Sequence, residues 1–307
     1  MKTPGEQIIT ALLETPARRR FDIQLERKAG NPILATPANP MPVERVISGP
    51  VVPFRMRDLI PGGATVADSI GYPRETSITN SPVIPTLPGG LKPQASLTYD
   101  MQNAPVRTIP AYMKASSQLW EDFAAFQSWI DARLLYSLSV AEELQLINGN
   151  GVAPNLQGLL LVAINTATAV GGGGSVLLDN LAAGIAATFA RGYIVDGIVV
   201  NPGDWGKALS ATVTGAGYLV GAPGVVASPL NLWGFPVVLS VAMPAGSYVV
   251  GQFNPYSQIF DRDTAAVEVA EQNQDDFVKN IVTVRAEERL AFAIYQPGAF
   301  SKGTFTP

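Results

Sequence analysis

Two residue types are missing altogether: the 307-residue chain contains neither cysteine nor histidine. That excludes disulfides, thiolate nucleophiles, Cys/His zinc sites, and any Ser-His-Asp or Cys-His catalytic arrangement. What remains for chemistry is Lys, Asp, Glu and backbone groups, which act as acids, bases or Mg²⁺ ligands where burial tunes them. Long apolar runs are missing too. Although 47% of residues are hydrophobic, no uninterrupted stretch approaches the roughly 18 to 20 residues that cross a bilayer, so no membrane span is expected. The opening MKTPGEQIITALLETPARRR sets its arginines after the apolar patch, the reverse of a signal peptide. An excess of positive charge is also lacking: 21 Lys plus Arg against 25 Asp plus Glu give a net charge of −4. That argues against a domain held to nucleic acid by general attraction to phosphate.

What is present is arranged in blocks. Residues 1–30 carry a short amphipathic turn (Ile8, Ile9, Leu12, Leu13) and a basic triplet, Arg18 to Arg20. The triplet reads first as a solvated surface and second as an inward patch touching nucleic acid. From Asn31 to Pro61, prolines recur at 32, 37, 40, 42, 50, 53 and 61. Each removes a donor and disfavours helix before it, so an extended arm is expected, lying across another chain. A polar stretch containing SPVIPTLPGGLKPQ, with alternating runs at Ser96–Tyr99 and Val106–Ile109, predicts a long two-stranded arm. Such an arm is marginal unless other chains support it.

Beyond Ser116 and Ser117, apolar residues at 119, 120, 123, 126, 130, 134 and 138 advance by about a turn each and continue to Leu144 and Ile147. They predict a helix roughly 45 Å long that stops at Asn148-Gly149-Asn150-Gly151. After Gly171–Gly174 come a helix over Leu178–Arg191 and strands at Ile194–Val200, Phe235–Ser240 and Ser247–Gly251, an α/β pattern forming a second lobe. Small residues in ATVTGAGYLVGAPGVVAS (211–228) suit close packing about a symmetry axis. Alternation from Ala266 to Phe305 predicts strands returning to the first lobe. Trp120, Trp129, Trp205 and Trp233 read as core or interface anchors. Gly171–Gly174 lacks the Lys-Ser/Thr of a phosphate loop and reads as a flexible connection.

The ordered set RDLIP (57–61), SIGYPRE (69–75), LKP (91–93), EELQLINGNG (142–151) and NPGDW (201–205) resembles tailed-phage major capsid proteins. The match continues through LWGFPVVLS (232–240), FDRD (260–263), DFVKNIVTVRAEERLAF (276–292) and FSKGTF (300–305). The resemblance implies an α+β fold of the Hong Kong 97 phage type: a peripheral lobe with a long spine helix, an axial lobe, a projecting two-stranded loop and an extended N-terminal arm. It divides the chain into an arm (1–56), a first peripheral part (57–178) with projecting loop 71–110 and spine helix 116–147, an axial domain (179–262) and a peripheral return (263–307). It implies pentamers and hexamers in an icosahedral shell around double-stranded DNA, built in the host cytoplasm and resident in the virion, with portal, scaffold, protease or decoration proteins as partners. No long charged scaffolding segment is visible, which implies either that one was removed or that a separate scaffold exists. A mildly acidic wall suits such a container, because a basic one would hold the polymer through many weak phosphate contacts.

In crosslinking members of this family a loop lysine attacks an asparagine of a neighbouring subunit while a glutamate accepts a proton. The resemblance assigns these roles to Lys92 (in LKP), Asn280 (in VKN) and Glu287 (in RAEERL), with no cofactor and no metal. The chemistry needs a neutral, desolvated amine and a nearby carboxylate. Seven residues apart on one strand, Asn280 and Glu287 would lie on opposite faces and serve different subunit junctions. The alternative is a non-covalent shell in which Lys92 forms a salt bridge and Glu287 pairs with Arg285 or Arg289. Two other functions compete: a protein-cargo nanocompartment (encapsulin) or gene-transfer-agent shell of the same fold, and a Mg²⁺-dependent hydrolase using Asp275-Asp276 or Glu287-Glu288. Adjacent carboxylates on a strand point apart, which weighs against the hydrolase.

Overall fold

Strand and helix periodicities both recur in the computed structural model, which describes residues 55–79, 95–122, 124–166, 176–210, 212–213, 217–218, 230–273 and 275–305. A 3-10 turn at Met56–Leu59 precedes β1 (Gly62–Ala64), β2 (Ser69–Thr79), β3 (Ser96–Pro105) and β4 (Arg107–Ser116). Next come α1 (Ser117–Asp122), α2 (Ala124–Asn148), α3 (Leu159–Val162), β5 (Ile164–Asn165), α4 (Val176–Ala190), β6 (Gly197–Val200) and α5 (Pro202–Ser210). The rest is β7 (Thr212–Val213), β8 (Gly217–Tyr218), β9 (Asn231–Leu232), β10 (Phe235–Leu239), β11 (Ser247–Gly251), β12 (Ser257–Ala270), α6 (Asp276–Lys279), β13 (Ile281–Ile294) and β14 (Phe300–Thr304). Among the described residues no helix is long and apolar enough to cross a membrane.

A four-stranded sheet, in the order β1-β12-β13-β4, is built on β13. Its even-numbered residues Val282, Val284, Ala286, Leu290, Phe292 and Ile294 are buried beneath α2, which presents Ile130, Leu134, Leu138, Leu146 and Ile147 at helical spacing. Truncating one of these, Leu138 for instance, would cost about 2–5 kcal/mol by burial loss and cavity formation. Helix α2 alone has 25 residues, about 38 Å at 1.5 Å per residue. The odd-numbered Ala291 and Ala293 are covered by Tyr72 and Ala104, at the base of the β2–β3 hairpin. The sequence reading carried that arm on to residue 110, but β4 leaves it at Arg107 to pair with β13.

The second sheet has the order β5-β14-β11-β6-β10-β9. Alternation divides its residues between two cores: Ile198, Val200, Tyr248 and Val250 meet residues of α4 and α5, while Val199, Val238 and Val249 join the core under α2. The strands expected to return to the first lobe are split, for β12 and β13 lie in the four-stranded sheet and β14 pairs with β11 in the six-stranded one. Trp233 is not a core residue. Together with Gly234 it forms a two-residue turn with positive φ at both positions, between β9 and β10, and more than half of it is exposed. The arm expected before residue 55, the loop expected to carry Lys92, the four-glycine run and most of 211–228 lie outside the described residues.

Helix α2 ends where the NGNG run predicts, and a close backbone approach there requires glycine at position 149. A Cβ on Gly149 would lie 2.3 Å from the Leu156 carbonyl oxygen and 2.5 Å from that of Gln145. Backbone atoms cannot yield as side chains can.

An ionic junction joins the start of the described chain to the helix and the sheet. Arg57 donates to both Glu142, on α2, and Asp261, on β12. Arg55 approaches Glu142 at 3.5 Å, and the Met56 N–H donates to Glu143 Oε1 at 3.3 Å. Glu288 sits on the core face of β13 beside this group, 7% exposed, and its Oε1 has no hydrogen-bond partner among the described residues. Arg55 and Arg57 thus face the carboxyls of Glu142, Asp261 and Glu288, one negative charge more than they neutralise. Burial, and secondarily the Glu142 carboxylate, pushes Glu288 from 4.5 up to about 8, against the pull of Arg57. Burial also raises Glu142 despite its arginines.

Two stability predictions follow from this packing. Gly149→Ala should lower the urea midpoint of unassembled subunits by an amount worth about 1–3 kcal/mol, the range for forced overpacking. Glu288 keeps its proton in the fold at pH values where the unfolded chain has lost it, so its burial costs stability increasingly from pH 4.5 to about 8 and levels off above. Glu288→Gln should therefore raise the midpoint at pH 8, by up to about 5 kcal/mol at about 1.4 kcal/mol per pH unit, and leave it unchanged near pH 4.5. An equal effect at both pH values would contradict a charge origin.

Candidate functional site

Of the residues singled out for crosslinking, Glu287 lies on the outward face of the four-stranded sheet and Asn280 at the turn that leads into it, while Lys92 lies outside the described residues. Between β12 and β13 the chain makes the single turn α6. Of its residues only Asp276 is buried, at 2% exposure, whereas Phe277 and Val278 are 75% and 83% exposed. The Asp276 carboxylate turns back onto the sheet, where Lys114 Nζ donates to Oδ1 at 2.7 Å and the Thr283 hydroxyl donates to Oδ2. Lys114 and Thr283 are directly opposed on β4 and β13, so one carboxylate bridges a cross-strand pair. The Lys114 hydrogen bond, followed by that of Thr283, holds the Asp276 carboxyl below its ordinary range.

Asn280 ends this turn in the left-handed region, at φ 51° and ψ 50°, a conformation asparagine tolerates better than most residues. Its N–H donates back to the Asp276 and Phe277 carbonyls, and its own carbonyl accepts from the Ser117 N–H at 2.8 Å. The residue is exposed. It stands one position before β13, so the expectation that Asn280 and Glu287 share a strand fails at its first member. A left-handed residue takes no part in the period-two alternation.

Glu287 lies within β13, between Pro110 on β4 and Ala266 on β12. It is half-buried on the outward face, with Oε2 3.2 Å from Arg285 Nη2. Arg285 also binds Glu268 at 2.7 Å. The pairing of β13 with β4 is unbroken from Ile281 to Leu290. At about 3.3 Å per residue, Asn280 and Glu287 are therefore separated by roughly 20 Å of rigid strand, beyond the reach of both side chains toward one atom. Beside the turn, Tyr112, Lys114, Glu268, Asn273, Thr283 and Arg285 line an open groove of about 660 Å³.

The carboxylate pairs considered for a hydrolase diverge. Asp276 is engaged by Lys114 while exposed Asp275 meets Lys279 at 3.4 Å. Glu287 faces outward to Arg285 while Glu288 faces the core. Sequence reasoning missed the Asp276 bridge and the Glu142–Glu288 junction. Both join residues more than 140 positions apart, and only the opposition of Lys114 to Thr283, or of α2 to β13, brings them together.

A model of the phage capsid family matches residues 40–305. The major capsid protein of Enterobacteria phage HK97 is 38% identical over 267 residues, 87% of this chain and 69% of that protein. Among solved structures, the capsid of a native GTA particle superposes with a TM-score of 0.70 at 18% identity, covering 91% of this chain and all of the other. A chain from Microbacterium phage Oxtober96 gives 0.67 at 13% identity, covering 84% and 93%. These two likenesses show the shared α+β fold, while the family match and the 38% identity show kinship with structural shell proteins and not with enzymes. The chain belongs to the phage capsid family and is a major capsid protein of the Hong Kong 97 type, a component of the virion shell.

Proposed function

We propose that the chain assembles as pentamers and hexamers into an icosahedral head around double-stranded DNA, and that Lys92 of one copy bonds covalently to Asn280 of another. The neutral Lys92 amine attacks the Asn280 side-chain carbonyl carbon. The C–N bond to the amide nitrogen breaks, ammonia leaves, and an isopeptide bond remains. Glu287 accepts the proton released by the attacking amine and returns it to the leaving nitrogen. The observation that carries this reading is the separation of roughly 20 Å between exposed Asn280, at the turn before β13, and Glu287 within that strand. The two groups of a single subunit cannot serve one bond, so acceptor and base come from different copies and the reaction awaits assembly. Desolvation at the junction supplies the neutral lysine.

In this reading residues 1–56 form an arm, 57–178 and 263–307 a peripheral domain and 179–262 an axial domain. Portal, scaffold, protease and decoration proteins are the partner classes, and assembly takes place in the host cytoplasm. A gene-transfer-agent shell is the second reading, favoured by the structural likeness to a GTA capsid. The higher identity to the phage HK97 protein favours a phage head. Packaged contents separate the readings: one defined genome marks a phage, assorted host DNA a transfer agent, and protein cargo an encapsulin.

Purified particles, imaged by electron microscopy and then boiled and run on a denaturing gel, should yield ladders or material too large to enter. Lys92→Ala, Asn280→Ala and Glu287→Ala should each return most of the protein to a band near 32 kDa. A single monomer band from intact wild-type particles would show a non-covalent shell and remove all three assignments.

A further inference from the structure

We infer that Asp276 is a positioning residue that fixes the Asn280 amide for attack, an inference that rests on the crosslinking role proposed for Asn280. A four-residue helical turn has no stability of its own in water. Phe277, Val278 and Lys279 are exposed, so side-chain packing does not hold this turn in place. Asp276 is its one buried member, tied through both carboxylate oxygens to β4 and β13. The Asn280 N–H is in turn bonded to the Asp276 and Phe277 carbonyls and its own carbonyl accepts from the Ser117 N–H, so where Asp276 sits fixes the turn side of the acceptor while Ser117 holds the other.

Attack on an amide requires the reacting atoms within about 3–3.5 Å along a defined approach, and a misplacement of 1 Å costs on the order of 100-fold in rate. A left-handed asparagine released from its turn samples extended conformations that swing the amide by more than that. Asp276 touches none of the reacting atoms and acts only by holding Asn280. Lys114 and Thr283 belong to the same device, since they hold Asp276.

The test follows the time course of ladder formation in intact particles of wild type, Asp276→Ala, Asp276→Asn and Thr283→Val, with particle morphology checked by microscopy. Asp276→Ala should slow crosslinking at least about tenfold in particles of normal shape. Asp276→Asn, which still accepts from the Thr283 hydroxyl, should recover most of the rate, a rescue that general loosening of the fold would not give. Thr283→Val keeps the side-chain shape and removes one hydrogen bond, so it should give an intermediate rate. It also decides the question if Asp276→Ala fails to form particles. Wild-type ladders together with undiminished rates in Asp276→Ala, or in Thr283→Val where Asp276→Ala does not assemble, would overturn the positioning role and leave the crosslink standing. A wild-type shell with no ladders would remove the crosslink and the positioning role with it.

Discussion

The constraint on which the rest depends is that β13 is paired on both sides over most of its length. A strand held by β4 on one side and β12 on the other cannot slip by one residue without turning its whole apolar face to water. That pairing assigns Val282, Val284, Ala286 and Leu290 to the core and Thr283, Arg285 and Glu287 to the outward face. The spine helix packs over the first set. The second set becomes the surface of the sheet, and it includes Glu287, the proposed proton acceptor. The outward position of Glu287 is thus a consequence of the same register that buries the core.

Glu288 is the one polar interruption in the apolar face of that strand. It stands beside an ionic group in which Arg55 and Arg57 pair with Glu142 and Asp261, and its burial is tolerated because the carboxyl holds its proton up to about pH 8. A buried ionic group of this kind contributes little net stability compared with an apolar filling, but losing one partner strands the others at a cost of several kcal/mol. The junction therefore specifies which segments meet more than it strengthens their meeting. It ties the entry of the chain, the spine helix and the two long strands into one arrangement.

Assembly enters through what the subunit leaves uncovered. Leu135, Val140 and Leu144 remain exposed on α2, and Leu97, Tyr99 and Met101 line one face of the β2–β3 hairpin. Exposed apolar rows of this kind are typical of surfaces that meet other chains. The proposed covalent step has the same logic, because an amine in water stays protonated and only a desolvated junction leaves it free to attack.

By itself, the sequence determined the composition-level exclusions, the long helix and its stop at Gly149, strand β11 at its observed limits, and the capsid family, because these depend on local periodicity, on backbone sterics and on ordered motifs that survive without coordinates. It also separated Glu287 from Glu288, since adjacent residues on any strand face opposite ways. What only the tertiary structure decided was which distant groups meet. The transfer of β4 from the hairpin to the large sheet, the membership of β14 in the six-stranded sheet, the Lys114–Asp276–Thr283 bridge and the carboxyl excess around Glu288 all depend on pairings between segments far apart in the chain. Asn280 shows the boundary between the two: its motif is legible in sequence, but its left-handed backbone is set by a turn anchored through Asp276 to Lys114, 162 residues earlier in the chain.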